Sequence, residues 1–581
     1  MKKILFILLF LFIAEIAIAE MSLKEINNLS KKSVVEKTIN NAIAILKKEL
    51  GSTFVKNLRF PVRTSIYEKQ CYLAKNILFL EFIKEYKIDL DAQFAEYIYL
   101  EENHFEIISN IDKKDNAKKV FEILKEVYRL DASNKYFRLQ LAFALVWDQP
   151  RIKLHYQMGR MHLKYDIDLE NRYNYFKKLY DKNKAKIKYK DLSTRDLTLV
   201  VDTPVPVSEL EWALKNIRAS ASSWDKLYKK IKYDMERLER GQYQWPSSNG
   251  SYTLENIKEN GGICVDQGYY CVVTARAFGI PTLILTGAGQ DGFHCWFAFM
   301  KRGGRWEFDG GRYASSKFTT GDTVYSQTNK PITDHLVEFY YDRKFRFEKY
   351  KIAQEYINIS NALNGVIVNG KPNIAIQYAQ YAKKIAPLHL EAWKIEENFL
   401  IKNEEYSDLL KLLKEKEVYA RKYQDLLFDV YFKQLKTLKK LNDTKGIKKI
   451  LTTIKFKIKR DDLLQKVYLF ESKSLSINDN KDDARELLEK VLMKQKSERI
   501  KNIDAIQSYI YLIKNDSSQL KEGAKFISNY LKKYMIKRDR TFHANKYFIN
   551  YLYEVYSLIK DTKEMNNLKK KYPKILAKNS K

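Results

Sequence analysis

The residues of this 581-residue chain that are best suited to chemistry lie near its middle, where Cys264, His294 and Asp309 follow one another. Cys264 comes directly after "GGI", and apolar residues then recur at helical spacing as far as Gly279 and Pro281, which stop a helix. Cys264 is therefore predicted to lie in the first turn of a helix. Unpaired N–H groups and the positive end of the helix dipole favour a thiolate there, and a thiolate is the form that attacks a carbonyl carbon.

The four cysteines also fit a purely structural role, because most free cysteines on an apolar helix face are small buried hydrophobes. That interpretation stays open for Cys264, and it suits Cys271 and Cys295 better because neither begins a predicted helix. Four cysteines are too few for a disulfide scaffold in a chain of this length. Cys264 and Cys271 would lie about 10.5 Å apart along one helix, beyond disulfide reach. We expect at least some of the thiols to be free.

A nucleophilic thiol needs a base to deprotonate it, and the base needs a partner that fixes its tautomer. Alternating residues predict strands in "TLILTG", "FHCWFAFM" and "RWEFDG", so that His294 opens one strand and Asp309 ends the next. His155 and His162 have helical spacing and lack the strand setting of His294, which favours packing or surface roles. His294 is thus the candidate base and Asp309 its candidate partner. Asp291, in the preceding loop, is the alternative carboxylate.

A glycine-rich motif overlaps the candidate base. Gly287, Gly289 and Gly292 in "GAGQDGFHCWFAF" match the G-x-G-x-x-G pattern of dinucleotide-binding loops. Such a loop leads into a helix whose N-terminus meets the phosphate, whereas the residues after Gly292 are aromatic and β-like. The three glycines are therefore predicted to form a flexible loop between two strands, and the dinucleotide interpretation is rejected.

Four linked motifs in this region resemble the transglutaminase-like cysteine superfamily. They are a cysteine that opens a helix after a glycine pair, an arginine twelve residues later in "ARAFGIPT", H-x-W at the start of a strand, and W-x-x-D on the next strand. The resemblance covers residues 197 to 320. It implies a papain-like domain of helix and antiparallel sheet in which Cys264 is the nucleophile, His294 the base and Asp309 the residue that orients the base.

Two tryptophans of these motifs, Trp296 and Trp306, are the candidate substrate-binding residues. Two features depart from the family pattern. Gly268 stands where the family commonly has alanine, and Gly310-Gly311 follow the aspartate where proline and threonine are frequent. All three members of the implied triad are retained, so the departures concern the geometry around it.

The turn between the second and third predicted strands decides whether the triad can form. If Gly303-Gly304 formed a two-residue hairpin turn, Asp309 would face Ala298, about 13 Å along the strand from His294. Pairing His294 with Asp309 requires a wider loop, over about 299–304. We predict the wider loop.

The first residues, "MKKILFILLFLFIAEIAIAE", predict a secretory signal that is cut before Glu20, because Lys2 and Lys3 precede an apolar run that ends in Ala17-Ile18-Ala19. The run is shorter than the roughly 20 apolar residues that span a bilayer. We expect a secreted or periplasmic protein with no transmembrane segment after cleavage. We also expect no cofactor and no metal site.

The rest of the chain divides into helical and mixed segments, which predicts an α+β fold class. After the signal at 1–19, helical periodicity predicts an N-terminal helical domain at 20–190, the transglutaminase-like domain at 195–345, and a C-terminal array at 350–581. In the array, "AIQYAQYAKKIAPLHLEAW" has the small residues and proline of a tetratricopeptide-like helix pair. The second segment is expected to open with a β-rich stretch, "LTLVVDTPV", followed by a helix capped by Ser208.

The formal charge of +32 suggests an anionic partner, although lysine is spread over the whole chain. No nucleic-acid reader motif is seen, so nucleic acid is not expected. The leading interpretation is a secreted thiol enzyme for acyl transfer or for hydrolysis of a peptide or amide bond. Its partner would be a protein or peptide, with cell-wall peptide as one candidate. The alternatives are a non-catalytic interaction scaffold and a protein that binds an anionic surface.

Overall fold

The structure is a computed structural model. It describes residues 21–54, 60–62, 64–150, 168–240, 242–288, 293–312, 320–364, 374–477, 480–494, 496, 502–516, 518–536 and 542–576. The expected signal peptide lies outside these residues. Also outside them are His155, His162, Gly289, Asp291 and Gly292, so the expectations about those residues stay predictions.

Helices dominate the described chain, and we number them in chain order. The first are α1 Leu23–Val35, α2 Ile39–Ser52, α3 Thr64–Tyr86, α4 Ala92–Tyr99, α5 Asn103–Asn110, α6 Ala117–Leu130, α7 Phe137–Trp147, α8 Leu169–Asp181, α9 Thr194–Val201, α10 Val207–Asn216, α11 Met235–Glu239, α12 Leu254–Asn260, α13 Cys264–Ala277 and α14 Asp334–Tyr340. The later ones are α15 Glu348–Ala362, α16 Ile374–Ile385, α17 Leu390–Lys402, α18 Tyr406–Ala420, α19 Gln424–Lys440, α20 Thr444–Lys457, α21 Asp461–Ile477, α22 Lys481–Lys494, α23 Ile503–Lys514, α24 Leu520–Tyr530, α25 Phe542–Leu558, α26 Thr562–Lys571 and α27 Pro573–Leu576.

The chain forms two compact units. One contains 1–149 and 344–404, and the other contains 150–343 and 405–581. The second unit therefore holds both the region expected to be transglutaminase-like and most of the expected C-terminal array, while α15 to α17 group with the N-terminal helices. The four-segment division made from the sequence stays a prediction, and these units group its segments differently.

The described strands form one antiparallel sheet in the second unit. They are β1 Thr282–Ala288, β2 Phe293–Met300, β3 Trp306–Gly310, β4 Asp322–Val324 and β5 Pro331–Thr333, in the order β3-β2-β1-β4-β5. Helix α13 packs against β1 and β2. The α+β class is thus confirmed at this level: a mainly helical chain with a small antiparallel sheet. The three predicted strands are confirmed: the one that contains the candidate histidine and the one on each side of it in sequence.

The expectation of a β-rich stretch after residue 197 is wrong. Thr194–Val201 is helical, and it begins with a capping box in which the side chains of Ser193 and Asp196 each accept from the other's backbone N–H. The next helix begins at Val207 after Pro206, so Ser208 lies inside its first turn and is not the cap. β-Branched residues favour strands only weakly, and here the cap and the burial of the segment outweigh that preference.

No helix within the described ranges combines the length and the hydropathy that a bilayer span requires.

Candidate active site

Helix α13 begins at Cys264, as predicted, because three local features converge there. Gly261 has a φ of +78°, which lets the chain turn sharply out of α12. The N–H of Ile263, the residue before the helix, donates to a carboxylate oxygen of Asp266 at 2.8 Å. The helix ends at Ala277, and Gly279 follows with a φ of +69°. The Cys264 side chain thus lies in the first turn of a buried helix.

Donor groups lie near the sulfur of Cys264. The N–H groups of Cys295 and Val265 and the hydroxyl of Tyr233 each act to lower the pKa of its thiol. The residue is only 8% exposed, and burial raises the pKa of its thiol, an effect that outweighs these donors. Burial thus opposes the thiolate that the helix N-terminus was expected to favour, and its effect on the pKa is the larger one here.

Two tyrosines hold the residues around Cys264 in place. Tyr233 pairs with Gly262 in a short parallel bridge, so that the chain before α11 lies beside the start of α13. The hydroxyl of Tyr228 lies 2.6 Å from the carbonyl oxygen of Cys295 and 3.3 Å from that of Cys264. A buried hydroxyl in this position ties the start of α13 to β2. The sequence signal for both residues was weak, since neither lies in a motif.

His294 lies near the start of β2, next in sequence to Cys295, whose carbonyl oxygen accepts from the Tyr228 hydroxyl. Its Nε2 lies 3.0 Å from the carbonyl oxygen of Gly311. A carbonyl can only accept, so Nε2 carries the proton and Nδ1 is the acceptor in the neutral ring. Burial, and to a smaller extent the Arg312 guanidinium, lower the pKa of His294, which keeps the ring neutral. Among the described residues, no hydrogen bond joins this ring to the Cys264 sulfur.

The wide loop that would pair His294 with Asp309 is not formed. Met300 pairs with Trp306, which leaves Lys301–Arg305 as the turn, and a bulge then shifts the register so that Phe297 pairs with Gly310. The centre of the hairpin is therefore close to Gly303-Gly304, where the two-residue turn would be centred. Asp309 therefore lies near Phe297, several residues along β2 from the histidine.

The side chain of Asp309 is 65% exposed and accepts from Arg312 at 3.1 Å. Within the described residues, His294 is not among its hydrogen-bond or ionic partners. The carbonyl of Gly311, two residues further on, takes the position next to the ring that a triad would give to the carboxylate. The role of Asp309 as orienting residue thus finds no support in this geometry.

The two candidate substrate-binding tryptophans have different surroundings. Trp296 is fully buried, its indole N–H donates to the carbonyl of Phe308 at 3.0 Å, and the Arg312 guanidinium lies over its ring. It is therefore a packing residue beneath the site in this state. Trp306 is partly buried and contacts the rings of Phe308 and Tyr341. Its assignment to substrate binding stays a prediction.

The glycines that depart from the family pattern have steric reasons. A Cβ at Gly268 would lie 2.9 Å from the sulfur of Cys295, so the cysteine side chain fills the space that an alanine methyl would need. Gly311 has a φ of +83°, and a Cβ there would lie 2.3 Å from the Tyr228 ring. The prediction that Gly287 lies in a loop is wrong. It belongs to β1, where it pairs with His294, and a side chain there would meet the Trp296 ring.

A buried ion pair beside the cysteine was missed in the sequence. The guanidinium of Arg237 donates to Asp266 at 2.7 Å, and the hydroxyl of Tyr252 lies 3.0 Å from the other carboxylate oxygen. Both charged side chains are at most 2% exposed. The sequence feature that could have indicated this ion pair is the aspartate two residues after the candidate nucleophile. No group of three or more His, Cys, Asp or Glu in the described chain is arranged to hold a metal ion.

Comparison of the sequence with models of protein families gave no match. Comparison with curated proteins gave none either.

Proposed function

We propose that this chain is a secreted thiol enzyme of the transglutaminase-like kind, in which Cys264 attacks a peptide or amide carbonyl. One observation carries the proposal: the hydroxyl of Tyr228 contacts the carbonyl oxygens of both Cys264 and Cys295, the residue that follows His294, so the start of α13 lies against β2. The last described pair between β2 and β3 is Phe297↔Gly310, so Cys295 lies two residues beyond it. Cys264 therefore lies beside the part of β2 that carries His294, the base that the motif supplies.

The chemistry begins from two neutral groups. The thiol has a raised pKa and the imidazole a lowered one, so proton transfer from sulfur to Nδ1 must accompany attack on the carbonyl. The carbonyl of Gly311 accepts from Nε2–H and stabilises the imidazolium that forms. The leaving amine takes the proton back, and water or a second amine then resolves the acyl-enzyme. Catalytic hydrogen bonds in free enzymes are commonly long, so the thiol and the ring are expected to close on substrate binding.

Labelling with a thiol-reactive acyl probe tests this proposal. We expect the native chain to react at Cys264 alone, because Cys271 and Cys295 are 0% exposed, and burial and the Glu355 carboxylate raise the pKa of the Cys71 thiol. Mass spectrometry of the digest locates the label. His294→Ala should slow the reaction about a hundredfold or more. His335→Ala is the matched control, because His335 lies on α14 and is more exposed than His294. It should have no effect on the rate. Equal labelling of all four cysteines would contradict the proposal, as would a rate that does not depend on His294.

The second candidate is a non-catalytic interaction scaffold, and the orientation of Asp309 towards Arg312 favours it. Under this alternative the helices of the second unit bind a protein or peptide, and Cys264 is a packing residue. A chain whose Cys264→Ala variant loses stability, while the parent neither reacts with the probe nor turns over a peptide library, would support the scaffold. The helical segments are proposed to bind the protein or peptide partner under both candidates.

A further inference from the structure

A basic surface lies on two consecutive helices of the second unit. Residues 436–459 contain nine lysines and a single acidic residue, Asp443. Asp443 is engaged at the start of α20, where its carboxylate accepts from the N–H of Gly446 at 2.7 Å. The segment therefore carries a large positive charge that its own acid does not offset.

Helical spacing concentrates this charge on one face. Lys445, Lys448 and Lys449 share the exposed face of α20, and Leu451 and Ile454 occupy the opposite, buried face. Lys439 and Lys440 end α19, one short turn away, and Lys459 follows α20. We call these six lysines the lysine face. Because α20 has 14 residues, the face extends over about 20 Å.

The lysine face has no internal neutralisation. In the part of the chain that the structure describes, none of its six ammonium groups has a carboxylate partner. Nearby basic groups are different, since Lys455 pairs with Glu471 at 2.6 Å and Arg460 with Asp462 at 2.6 Å. The six ammonium groups of the lysine face are exposed to solvent. Lys455 and Arg460 instead point towards carboxylates of α21.

An exposed aromatic residue stands at one end of the face. Phe456 is 70% exposed, and the ammonium groups of Lys457 and Lys459 lie 5.8 Å and 5.1 Å from its ring centroid. Exposure of an apolar phenylalanine ring to water is unfavourable. A ring flanked by lysines suits the interface of a bilayer, where the ring can enter the acyl boundary while the lysines contact phosphates.

We propose that the lysine face and Phe456 bind an anionic lipid bilayer. The charge complementarity of unpaired lysines with anionic headgroups supplies the attraction, which grows with each lysine near such a surface. A polyanion in solution would be attracted to the lysines too, but it offers no apolar phase for Phe456. This inference does not rest on the proposed thiol chemistry.

Cosedimentation of the chain with vesicles tests the proposal. The probes are phosphatidylcholine vesicles with and without one-third phosphatidylglycerol. We expect binding to the anionic vesicles that weakens steeply from 0.05 to 0.5 M salt, and no binding to the neutral ones. The triple substitution Lys445→Gln, Lys448→Gln, Lys449→Gln should weaken binding about a hundredfold.

Two control variants test whether binding depends on this surface or only on the net charge and the number of exposed rings. Lys113→Gln, Lys114→Gln, Lys118→Gln removes the same charge from exposed lysines elsewhere and should leave binding unchanged. Phe456→Ala should weaken binding several-fold, whereas Tyr511→Ala, at a ring that is 72% exposed on α23, should not. Equal losses in the two lysine triples would overturn the proposal, as would the absence of binding to anionic vesicles. Tighter binding to a soluble polyphosphate or to DNA would also overturn it.

Discussion

The candidate active site and the lysine face belong to the same unit and treat charge in opposite ways. Beside Cys264, Arg237 and Asp266 form an ion pair whose side chains are at most 2% exposed, and backbone carbonyls of Gln242 and Tyr243 accept from the same guanidinium. On the lysine face the ammonium groups lie in solvent, without carboxylate partners among the described residues.

This difference separates charges that fix a structure from charges that are available to a partner. A buried charge is tolerated only with its counter-ion and hydrogen bonds, so it specifies one arrangement of the chain around it. An exposed charge contributes little to folding, but a cluster of one sign creates a potential that acts on other molecules. Substitutions should therefore affect stability in the first region and binding in the second.

The largest expected effect is on the buried ion pair. Arg237→Met leaves the carboxyl group of Asp266 buried without its counter-ion, and we expect a loss of about 3 to 5 kcal/mol in the free energy of unfolding. Urea titration followed by tryptophan fluorescence measures it. Lys490→Met breaks the exposed pair with Glu486 and should change the same free energy by less than about 1 kcal/mol. Similar losses in the two variants would remove the contrast between buried and exposed charge.

The next effect concerns two glycines with nearly the same φ angle. Gly303 has a φ of +79° and nothing within 4 Å of an added Cβ, whereas at Gly311 the Cβ would meet the Tyr228 ring. Gly303→Ala should cost about 1 to 2 kcal/mol from backbone strain alone. Gly311→Ala adds steric overlap and should cost about 2 to 4 kcal/mol. It should also slow labelling of Cys264, because the carbonyl that holds His294 moves.

A smaller effect is expected from Tyr228→Phe. The variant leaves the carbonyls of Cys264 and Cys295 without their buried donor, at a cost of about 1 to 2 kcal/mol. Thermal or urea unfolding measures this loss. Tyr511→Phe removes a hydroxyl from a residue that is 72% exposed, so its unfolding should match that of the parent. A Tyr228→Phe variant as stable as the parent would mean that the hydroxyl does not tie α13 to β2.

The smallest expected effect is a shift in the pH dependence of Cys264 labelling. His294 acts as a base only when neutral, and burial holds its pKa below the ordinary 6.5. Labelling of Cys264 should therefore keep its neutral-pH rate below pH 6.5 and fall about tenfold per unit only at lower pH. Arg312→Gln removes a charge that lowers this pKa, so the fall should move to higher pH. Arg305→Gln, on the exposed turn, makes the same charge change and should not move it. A fall centred above pH 6.5 in the parent would contradict the argument.

The elements around the site could be predicted from the sequence because their signals are local. The glycine pair before Cys264 and the Gly279 stop define α13, and alternation of apolar residues defines β2 and β3. The distribution of lysine could have been found as well, since nine lysines among residues 436–459 are visible in the sequence. Their separation into paired and unpaired groups could not, because it depends on which helix face meets a neighbour.

The relations between elements were predicted less well. The pairing of His294 with Asp309 failed because Met300 pairs with Trp306, so the hairpin turn lies too far along the chain for the two residues to meet. A bulge between Phe297 and Phe299 changes the register by one more residue, and bulges leave little trace in sequence. The helix at Thr194–Val201 was missed because a cap and burial outweighed β-branched composition. Arg237 was missed because its partner Asp266 is 29 residues away.

The sequence by itself determined which residue types are available and where they begin each element: a cysteine at a helix start, a histidine near the start of a strand, and a lysine-rich helix. Local conformation follows from short-range sterics and hydrogen bonds, which are written in neighbouring residues. Only the tertiary structure decided that Gly311 and not Asp309 meets His294, that Cys264 is buried as a neutral thiol, and that six lysines face solvent together. Register, burial and pairing of charge depend on contacts between distant segments, and the packing of the whole unit sets those contacts.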